Sequence, residues 1–393
     1  MRVAFVSTFP PVHCGIGEYT HFLVQRMARH ESPLYVFSSF GSARRKGKIH
    51  SIPSFEPRSE DFRGLLRAIG EKGPFDVVHI QHEYGIFGKG DGFLEFLEGL
   101  RPHAGVICLT LHTVIHSLDR KLCRYQHRMI DLVDGVFVHS TLGEYELWMQ
   151  EVDLRKVFLV PHGTHINRFR PNRRALTEIV GSGFSADGSF LITVPGFLRW
   201  DKGITTLQVV SERIMEEFPD TAIIVAGGFQ AEGKELRQLK AAVAEVDAGF
   251  GQVWFTRGFL RRKDLFRLLA SSDAILLPYR EWPGHMGVSG ILHLAMGTCK
   301  PIIASRVPRL VEYTQMFPEL AFVEEDVDGL IKALRYLREN YSEILLEVRK
   351  RLLPFLRRTS WEATARRHLE IYRALLTSSA SARERVPAGT PPL

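Results

Sequence analysis

The sequence is poor in cysteine and has no long apolar run. Its 393 residues include four cysteines, which are scattered and lack the close spacing of a metal site: Cys14, Cys108, Cys123 and Cys299. This pattern excludes a disulfide scaffold and fits reduced thiols in a cytoplasm. No apolar run reaches the roughly 18 residues that cross a bilayer. Residues 1–11 lack the apolar stretch of a signal peptide, so we expect a cytoplasmic protein without a transmembrane segment.

Several catalytic motifs are also absent. The sequence contains no G-x-x-x-x-G-K-[ST] pattern, so a kinase or ATPase with that phosphate loop is not expected. It has no G-x-S-x-G turn, which leaves a serine hydrolase unsupported. The Gly15-Ile16-Gly17 loop lacks the third glycine of the dinucleotide fingerprint, which makes an NAD enzyme a weak interpretation. The function must therefore be sought in the folding pattern and in the polar clusters.

The composition is moderately basic. Lysine and arginine total 51 against 44 acidic residues, which gives a formal net charge of +7. Such an excess fits a polyanionic partner, an anionic membrane surface or a phosphate-bearing substrate. The run Arg44–Lys48 lies in a predicted loop, where it could touch an anionic membrane or be merely solvated. The basic residues are not interleaved with aromatic residues, so no nucleic-acid partner is expected.

Short apolar runs alternate with helical stretches through the chain. The first half contains strand-like runs at Arg2–Ser7, Leu34–Phe37, Val77–Ile80, Val106–Leu111, Gly135–Val138 and Val157–Val160. The second half repeats the pattern at Leu191–Val194, Ala222–Ala226, Val253–Thr256, Ala274–Leu277 and Pro301–Ala304. Short buried strands separated by helices are typical of parallel sheets with helices on both faces. The chain is therefore predicted to be an α/β protein with two doubly wound, Rossmann-like domains that face each other across a cleft.

The domain boundaries are predicted from changes in patterning. Residues 1–171 are expected to form the first domain, and the weakly patterned residues 172–189 a linker. Residues 190–355 form the second domain. Residues 356–376 are helical, and the small, polar, proline-bearing residues 377–393 are expected to be a disordered tail. A ligand is expected between the two domains, because clefts are the usual binding sites.

Two neighbouring strands of the first half end in polar clusters. One strand is followed by Gln81, His82 and Glu83, and another by a segment from His112 to His116. Ligands bind outside the carboxyl ends of strands in open α/β sheets, so these clusters indicate a site. Zinc bound by His82, Glu83, His112 and His116 is an alternative, but the ligands would come from separate loops in no recognised spacing. We therefore expect no metal.

A pair of cations follows the first strand of the second half. Arg199 and Lys202 lie between Gly196 and Gly203, just before a predicted helix. Two cations beside the N–H groups of a helix start suit a diphosphate, on which negative charge builds up as it leaves. The alternative is an ordinary pair of surface cations.

The stretch from Pro278 to Tyr313 has the pattern of half a nucleotide-binding unit. A strand stops at Pro278, a loop rich in glycine and proline follows, and Ser289-Gly290 opens an apolar helix. Backbone N–H groups at such a helix start attract anions. Gly258, after an earlier strand, could supply a further N–H group. The alternative is a plain crossover whose glycines only form the turn.

In their order and spacing, the motifs of this chain resemble family 4 glycosyltransferases, which are retaining enzymes of the GT-B fold. The matching motifs cover most of the chain: Gly15–Tyr19, Pro161–Gly163, Gly196–Gly203, Gly227-Gly228, Gly258–Leu260, Pro278–Pro301 and Glu312. The segments Gln81–Gly88 and Leu111–Val114 look like a bacterial, mannosyltransferase-like subgroup of that family. The resemblance implies a nucleotide-sugar donor bound mainly by the second domain and an acceptor against the first.

The resemblance also implies roles for residues of the second domain. Arg199 and Lys202 would hold the donor diphosphate and act in catalysis. Backbone around Gly258 would border the base. Ser289 and Gly290 would contribute N–H groups to the donor.

Residues of the first domain receive roles in the same way. Gly15 and Gly17 would approach the donor phosphate or sugar, and His112 would contact the donor sugar as a catalytic residue. His162, near the end of that domain, is assigned to donor binding. The last helix, around 361–376, would cross back onto the first domain.

One departure from the family concerns its acidic residues. Most members carry two glutamates eight positions apart, and the matching positions here are Met286 and Leu294. Glu281 is the nearest acid before the loop, and His285 and His293 are neighbouring polar groups. Recognition of the ribose and the sugar must therefore differ, or donor binding is lost.

These inferences lead to a retaining glycosyltransferase. It would move a hexose, mannose being favoured, from GDP-mannose or a UDP-sugar to a glycan, lipid-linked or small-molecule acceptor. No cofactor is expected beyond this donor substrate, and the protein could contact the inner face of a membrane peripherally. The alternatives are a degenerate GT-B protein that binds a ligand or partner without catalysis, and another GT-B reaction such as epimerisation of a sugar nucleotide.

Overall fold

The computed structural model describes residues 1–181, 183–185, 187–249, 252–256, 258–281 and 283–384. The elements up to residue 163 are β1 Val3–Ser7, α1 Gly15–Met27, β2 Leu34–Ser39, β3 Ile49–Phe55, α2 Arg63–Lys72, β4 Phe75–His82, α3 Tyr84–Phe87, α4 Asp91–Gly99, β5 Ala104–Leu111, β6 Thr113–Ile115, α5 Arg120–Asp131, β7 Gly135–Val138, α6 Thr141–Met149 and β8 Val157–Leu159.

The remaining elements repeat the alternation of strand and helix. They are α7 Thr177–Val180, β9 Phe190–Pro195, α8 Ile204–Glu217, β10 Thr221–Ala226, α9 Gly233–Gly249, β11 Val253–Phe255, α10 Arg262–Ser271, β12 Ala274–Leu277, β13 His285–Gly287, α11 Gly290–Met296, β14 Ile302–Ser305, α12 Val311–Thr314, β15 Ala321–Phe322, α13 Val327–Glu339, α14 Tyr341–Arg358 and α15 Trp361–Glu384.

The chain forms two compact units that do not coincide with its two halves. Unit 1 contains Met1–Gly163, the short segment Gly284–Val288 and the C-terminal segment from Thr359. Unit 2 contains Thr164–Pro283 and Ser289–Arg358. The chain therefore passes between the units four times.

Unit 1 is built on a parallel sheet. Seven of the described strands pair in the order β3-β2-β1-β4-β5-β7-β8, and every pairing is parallel. Because the strands are apolar on both sides, helices cover both faces. On one face, α1 and α15 close a core that includes Phe5, Leu23 and Tyr372. The other face packs against a core that includes Leu65 on α2, Phe93 on α4 and Met129 on α5.

Unit 2 has the same architecture. Six of its described strands form a parallel sheet in the order β11-β10-β9-β12-β14-β15. A large core lies under α8, α9, α11 and the helices from α12 to α14. A smaller core joins the other face of the sheet to α7 and α10. The prediction of an α/β fold with two doubly wound, Rossmann-like units is thus confirmed.

The segment predicted as a linker is part of unit 2. Residues 172–189 contain α7, and their side chains Leu176, Val180 and Phe184 are buried against Leu191 and Ile224 of the sheet. These three apolar residues recur every four positions, which is the spacing of one face of a helix. The prediction of a linker is therefore wrong for these residues, because the buried side chains tie them to the sheet.

The C-terminal region is more helical than predicted. Helix α15 belongs to unit 1 and runs to Glu384, so Thr377–Glu384 is not disordered. The hydroxyls of Thr377 and Ser378 donate to the carbonyl oxygens of Arg373 and Ala374 at 3.0 and 3.1 Å. Bonds of this kind let small polar residues continue a helix. The rest of the predicted tail, residues 385–393, lies outside the described residues.

A short antiparallel pair in unit 1 was not predicted. Strand β13 pairs with β6, with Met286 opposite Val114 and Gly287 opposite Thr113. The two backbones come so close that a Cβ on Gly287 would lie 2.7 Å from the carbonyl oxygen of His112. Glycine is therefore needed at this position, which fixes β13 beside the end of β5.

No helix in the described part of the chain is long and apolar enough to cross a membrane.

Candidate functional site

In unit 1, the polar residues of interest lie at the carboxyl edge of the sheet. Gln81 is the penultimate residue of β4, His112 follows β5, His139 follows β7 and His162 comes shortly after β8. Because the strands are parallel, their carboxyl ends meet at one edge. The strand order reverses between β1 and β4, and the loop after β1 leads into α1. Such a reversal is where open α/β sheets bind ligands.

Tyr19 of α1 is the centre of an aromatic and histidine cluster at this edge. Its ring centroid lies 4.8 Å from His112, 4.9 Å from His139, 5.1 Å from His162 and 5.1 Å from Trp361. The structure thus brings together His112 and His162, two residues predicted from the sequence. It adds Tyr19, His139 and Trp361, which the sequence reasoning missed. The recurrence of histidine just after three strands was a signal that could have revealed His139.

The glycines of the first loop have separate roles in this arrangement. Gly15 is the first residue of α1, and a Cβ added there would meet no atom within 4 Å. A Cβ on Gly17 would lie 3.2 Å from the hydroxyl of Thr8, so this position is sterically constrained. Both glycines lie in the first turn of the helix that carries Tyr19, Gly15 four residues and Gly17 two residues before it.

His112 is held as a neutral imidazole. Its Nε2 lies 2.9 Å from Oε1 of Gln81, an acceptor, so Nε2 carries the proton. Burial, followed by the nearby His139 and His82, holds the pKa of His112 well below its usual value. The Nδ1 of this tautomer has a lone pair, which suits it to accept a hydrogen bond from a hydroxyl.

Two buried polar groups beside His112 lack partners. Within the described residues, the Tyr19 hydroxyl and the Gln81 amide nitrogen make no hydrogen bond, although both residues are buried. Buried polar groups are nearly always bonded, so such exceptions mark places where a ligand or water binds. A small cavity also lies beside His112, and Met286 lines it together with Val138–Ser140.

The four residues weighed as zinc ligands serve other contacts. Both ring nitrogens of His82 are buried among aromatic rings, and Glu83 accepts from the Thr113 hydroxyl at 2.7 Å. His116 lies 3.7 Å from Glu146. No group of three potential metal ligands occurs among the residues that the structure describes.

In unit 2, the predicted cations also lie at a reversal of strand order. The order of the sheet changes direction between β9 and β12. Lys202 follows β9 and Tyr279 follows β12, and the ammonium lies 3.6 Å from the centroid of the tyrosine ring. A Cβ on Gly203, whose φ is +75°, would overlap the carbonyl oxygen of Pro278. Glycine there lets the start of α8 approach the end of β12.

Asp201 draws three cations to this point. Its carboxylate accepts from Nε of Arg199 at 2.8 Å and from Nη1 of Arg309 at 2.6 Å, and Nζ of Lys202 lies 3.8 Å away. Burial would raise the pKa of Asp201, but the charges of Lys202, Arg199 and Arg309 outweigh it and hold the pKa below its usual value. Three basic side chains thus converge on this carboxylate, a grouping that suits the binding of an anion.

Lys202 has an unusually low pKa for a lysine. Burial, followed by the positive charge of Arg309, lowers its pKa from 10.5 to about 7. An anion placed against the cluster would favour the protonated form again. The affinity of the site for an anion and the charge of Lys202 are therefore coupled.

Arg309 was missed by the sequence reasoning. It lies in the turn after β14, and besides Asp201 its Nη2 donates to the carbonyl oxygen of Arg280 at 2.8 Å. Its own carbonyl oxygen accepts from the backbone N–H of Ser289 at 3.3 Å. Arg309 thus links the cation cluster to the start of α11. Its position 108 residues from Asp201 gave no local pattern that could have revealed it.

Ser289 and Gly290 lie where they were predicted, at the start of α11. The Ser289 hydroxyl accepts from the backbone N–H of Leu292 at 3.2 Å and lies 3.2 Å from the hydroxyl of Tyr279. Gly290 is the first residue of the helix. Ser289 is therefore joined to Lys202 through the ring of Tyr279.

Gly258 borders the same edge of the sheet. Its φ is +82°, and its N–H donates to the carbonyl oxygen of Thr256 at 3.0 Å. The adjacent Phe259 packs edge-on against Phe197, with ring centroids 5.5 Å apart. Gly258 is thus connected to the loop that carries Arg199.

The two positions without the family's glutamates have different surroundings. Met286 lies in β13 and lines the cavity next to His112 in unit 1. Leu294 is on α11 and packs partly buried against the core of unit 2. The neighbouring His293 is buried, with Nε2 2.8 Å from a carboxylate oxygen of Glu312. Both positions thus carry neutral side chains, and the acid in these contacts is Glu312, which lies against His293.

Comparison with known proteins relates the second half of the chain to a family of enzymes. The family model for glycosyl transferases group 1 matches residues 189–340, which include the Asp201 cluster. A glycogen synthase of Mesorhizobium japonicum is 25% identical over 241 residues, which are 59% of this chain and 47% of that protein. The chain thus spans about half the length of this curated relative.

Solved structures share the fold over almost the whole chain. A sucrose-phosphate synthase of Thermosynechococcus elongatus is 18% identical with a TM-score of 0.73, over 96% of this chain and 100% of that one. An α,α-trehalose-phosphate synthase (UDP-forming) of Burkholderia xenovorans is 13% identical with a TM-score of 0.72, over 95% and 100%. Residues 189–340 are therefore similar to glycosyl transferases group 1, and the chain as a whole has the GT-B fold.

Proposed function

We propose that this protein is a retaining glycosyltransferase that moves a hexose from a nucleotide sugar to an acceptor hydroxyl. The observation that carries the proposal is the cluster of Arg199, Lys202 and Arg309 around the single carboxylate of Asp201. It lies inside the segment that matches the glycosyl transferases group 1 model. A diphosphate would bind this cluster as a second anion beside the carboxylate of Asp201.

The reaction needs the protein mainly for positioning and for charge. As the bond between sugar and phosphate breaks, negative charge grows on the diphosphate, and fixed cations stabilise it. The donor phosphate itself accepts the proton of the acceptor hydroxyl, so no carboxylate nucleophile is required. The two-carboxylate scheme of glycoside hydrolases therefore need not apply.

His112 would bind the donor sugar. A neutral imidazole with its proton on Nε2 can accept a hydrogen bond from a sugar hydroxyl at Nδ1. The unpartnered hydroxyl of Tyr19 and amide nitrogen of Gln81 would serve polar groups of the same ligand or of the acceptor. Gly15, Gly17 and His162 are proposed to bind the same part of the donor.

The donor is proposed to be GDP-mannose or a UDP-sugar. Mannose rests on the resemblance of Gln81–Gly88 and Leu111–Val114 to family 4 mannosyltransferase-like proteins. UDP-sugars gain support from solved structures with the same fold, among them Anabaena Alr3699/HepE in complex with UDP-glucose. The acceptor class stays open among a glycan, a lipid-linked sugar and a small sugar such as a sugar phosphate, and the site of action is proposed to be the cytoplasm.

The proposal is tested by donor binding and by three substitutions. Thermal-shift and calorimetric screens with UDP-glucose, GDP-mannose and ADP-glucose should identify a donor, because a ligand of the native state raises Tm. Arg199→Gln, Lys202→Gln and Arg309→Gln should each weaken binding of that donor roughly 10- to 100-fold and keep the fold, since charge-assisted contacts contribute about 1.5–3 kcal/mol. Arg306→Gln is the matched control, because Arg306 is exposed in the same segment.

The same measurements separate the proposal from its rival. The absence of acid at Met286 and Leu294 favours, as the second candidate, a protein that binds a ligand without transferring sugar. Turnover with a panel of acceptors, lost in the three variants and kept in Arg306→Gln, supports the enzyme. Tight donor binding without transfer or hydrolysis supports the binding protein. Wild-type turnover in all three variants would overturn the assignment of the diphosphate site.

A further inference from the structure

We propose that an outer surface of unit 1, formed by the loop before helix α5 and by helices α5 and α6, docks onto the interface of an anionic lipid bilayer. This docking surface consists of an apolar part, Leu118, Tyr145, Trp148 and Met149, and a cationic part, Arg120, Lys121 and Arg124. It lies outside the sugar and diphosphate clusters described above.

The apolar part is unusually exposed for its residue types. Leu118 is 85% exposed, and Tyr145, Trp148 and Met149 are between 54% and 57% exposed. The Tyr145 and Trp148 rings lie next to each other, with centroids 5.5 Å apart. Single exposed apolar residues are normal, but a group of large ones marks an interaction surface.

The geometry of α6 explains why this face is outward. Gly143 and Leu147 are buried toward the sheet, and Glu146 and Gln150 turn toward α5. Tyr145, Trp148 and Met149 occupy the remaining side of the helix, at a spacing of three and four residues. The inner faces of α6 already have partners within unit 1. The exposed face is therefore not part of the core.

Hydrogen bonds fix α5 and the preceding loop beside α6. Glu146 accepts from the backbone N–H of Ser117 at 2.7 Å, next to Leu118. Gln150 accepts from the thiol of Cys123 at 3.0 Å and from the amide of Gln126 at 3.0 Å. These contacts place Leu118 and the first turns of α5 alongside the exposed residues of α6, so the two parts form one surface.

The cationic part is not neutralised within the protein. Arg120, Lys121 and Arg124 are exposed and make no ion pair in the part of the chain that the structure describes, whereas Arg128 on the same helix pairs with Asp91 at 2.8 Å. Cations at the start of a helix oppose its macrodipole, so the fold does not favour them there. Asp119, the acidic neighbour, is engaged as the N-cap of α5 through the N–H of Leu122.

An anionic bilayer fits both parts at once. Tyrosine and tryptophan prefer the boundary between headgroups and acyl chains, because one end of each ring system is polar. Leucine and methionine side chains enter the acyl region, and arginine and lysine attract anionic headgroups. An acidic protein surface would satisfy the cations but would not account for Leu118 at 85% exposure.

The experiment is flotation of the full-length protein with vesicles of phosphatidylcholine alone and of phosphatidylcholine mixed with phosphatidylglycerol. We expect partitioning into the anionic vesicles, with little on the neutral ones, and a decrease when salt is raised. The double variant Tyr145→Ser/Trp148→Ser and the triple variant Arg120→Gln/Lys121→Gln/Arg124→Gln should each lower partitioning roughly tenfold or more. Unchanged Tm values show that the variants fold.

Two matched controls keep the test specific. Arg44→Gln/Arg45→Gln/Lys46→Gln removes three cations from another loop, and Val209→Ser/Leu346→Ser removes two exposed apolar side chains from unit 2. Both controls should partition like the wild type. The proposal is overturned if the wild type ignores anionic vesicles, if the two surface variants still bind, or if the loop variant alone loses binding. It is also overturned if the surface proves to join two copies of the chain, seen as a dimer that Tyr145→Ser/Trp148→Ser dissociates.

Discussion

At the scale of single residues, Lys202 has the most consequential environment. A buried lysine beside Arg309 and Arg199 loses its proton more readily than a lysine in water, and Asp201 only partly offsets this. The side chain therefore titrates near neutral pH, where it can respond to the arrival or departure of a phosphate. The same shift affects stability, because the unfolded chain binds the proton more tightly than the folded one does. Between pH 7 and 10.5, this residue alone makes the folded state more stable as pH rises.

Donor affinity should consequently depend on pH with a definite sign. Lys202 is charged below its folded pKa of about 7 and neutral above it, so binding of a nucleotide sugar should weaken as pH rises from about 6.5 to 8.5. The slope should approach tenfold in Kd per pH unit above pH 7, since one proton is taken up on binding. Calorimetry with UDP-glucose or GDP-mannose measures it, and Lys202→Arg is the control that should bind with little pH dependence. Equal slopes in both proteins would show that another group titrates.

At the scale of elements, α15 makes a large contribution to unit 1. Its apolar residues recur at the helical spacing and are buried against α1 and the sheet: Trp361, Ala365, Leu369 and Tyr372. The Trp361 ring lies 5.1 Å from Tyr19 and 5.4 Å from Phe22. This helix, from the end of the chain, therefore supports the cluster that contains His112.

Removing the Trp361 ring should lower the stability of the protein. Trp361→Ala should lower the free energy of unfolding by about 3–5 kcal/mol, because the ring is buried and its loss leaves a cavity. Leu346→Ala, at a position that is 66% exposed on α14, should change it by no more than about 0.5 kcal/mol. Urea unfolding followed by circular dichroism compares the two. Equal midpoints would mean that α15 does not stabilise unit 1.

The strands also show how much of the fold could be predicted from the sequence. The buried strands were predictable because runs such as Val77–Ile80 are short, apolar and separated by helices. The pairing of β6 with β13 was not, because three-residue strands 170 residues apart have no pattern of their own. Strand β3 was also missed, because it contains Pro53 and proline argues against a strand.

In the candidate site, too, some residues could be predicted from the sequence and others could not. His112, Arg199 and Lys202 could be found because each follows a predicted strand, where ligands bind. Arg309 and Tyr19 could not, because their importance comes from neighbours that only folding supplies. The linker was mispredicted although Leu176, Val180 and Phe184 carried a helical spacing, since their surroundings are polar.

At the scale of the whole molecule, the charges that would bind the donor belong to one unit. Arg199, Lys202, Asp201 and Arg309 all lie in unit 2, and so do Ser289 and Gly258. Each unit has its own sheet and its own cores.

Hydrogen exchange should therefore locate the donor. With UDP-glucose or GDP-mannose, whichever binds, the backbone at 196–203 and 306–310 should exchange more slowly than in the free protein, because ligand binding suppresses local opening. Peptides from α14 serve as the internal reference and should not change. Protection confined to residues before Gly163 would contradict a diphosphate site in unit 2.

The segment Gly284–Val288 has a practical consequence for dissecting this protein. These five residues come from the later part of the sequence but belong to unit 1, and so does helix α15 near the C-terminus. A gene fragment ending at Gly163 would lack both, leaving β6 without its partner strand and Tyr19 without the Trp361 ring. A fragment starting at Thr164 would carry the same pieces without the sheet they pack on. The contributions of the two units are therefore better separated by point substitutions in the intact chain than by expressing its halves.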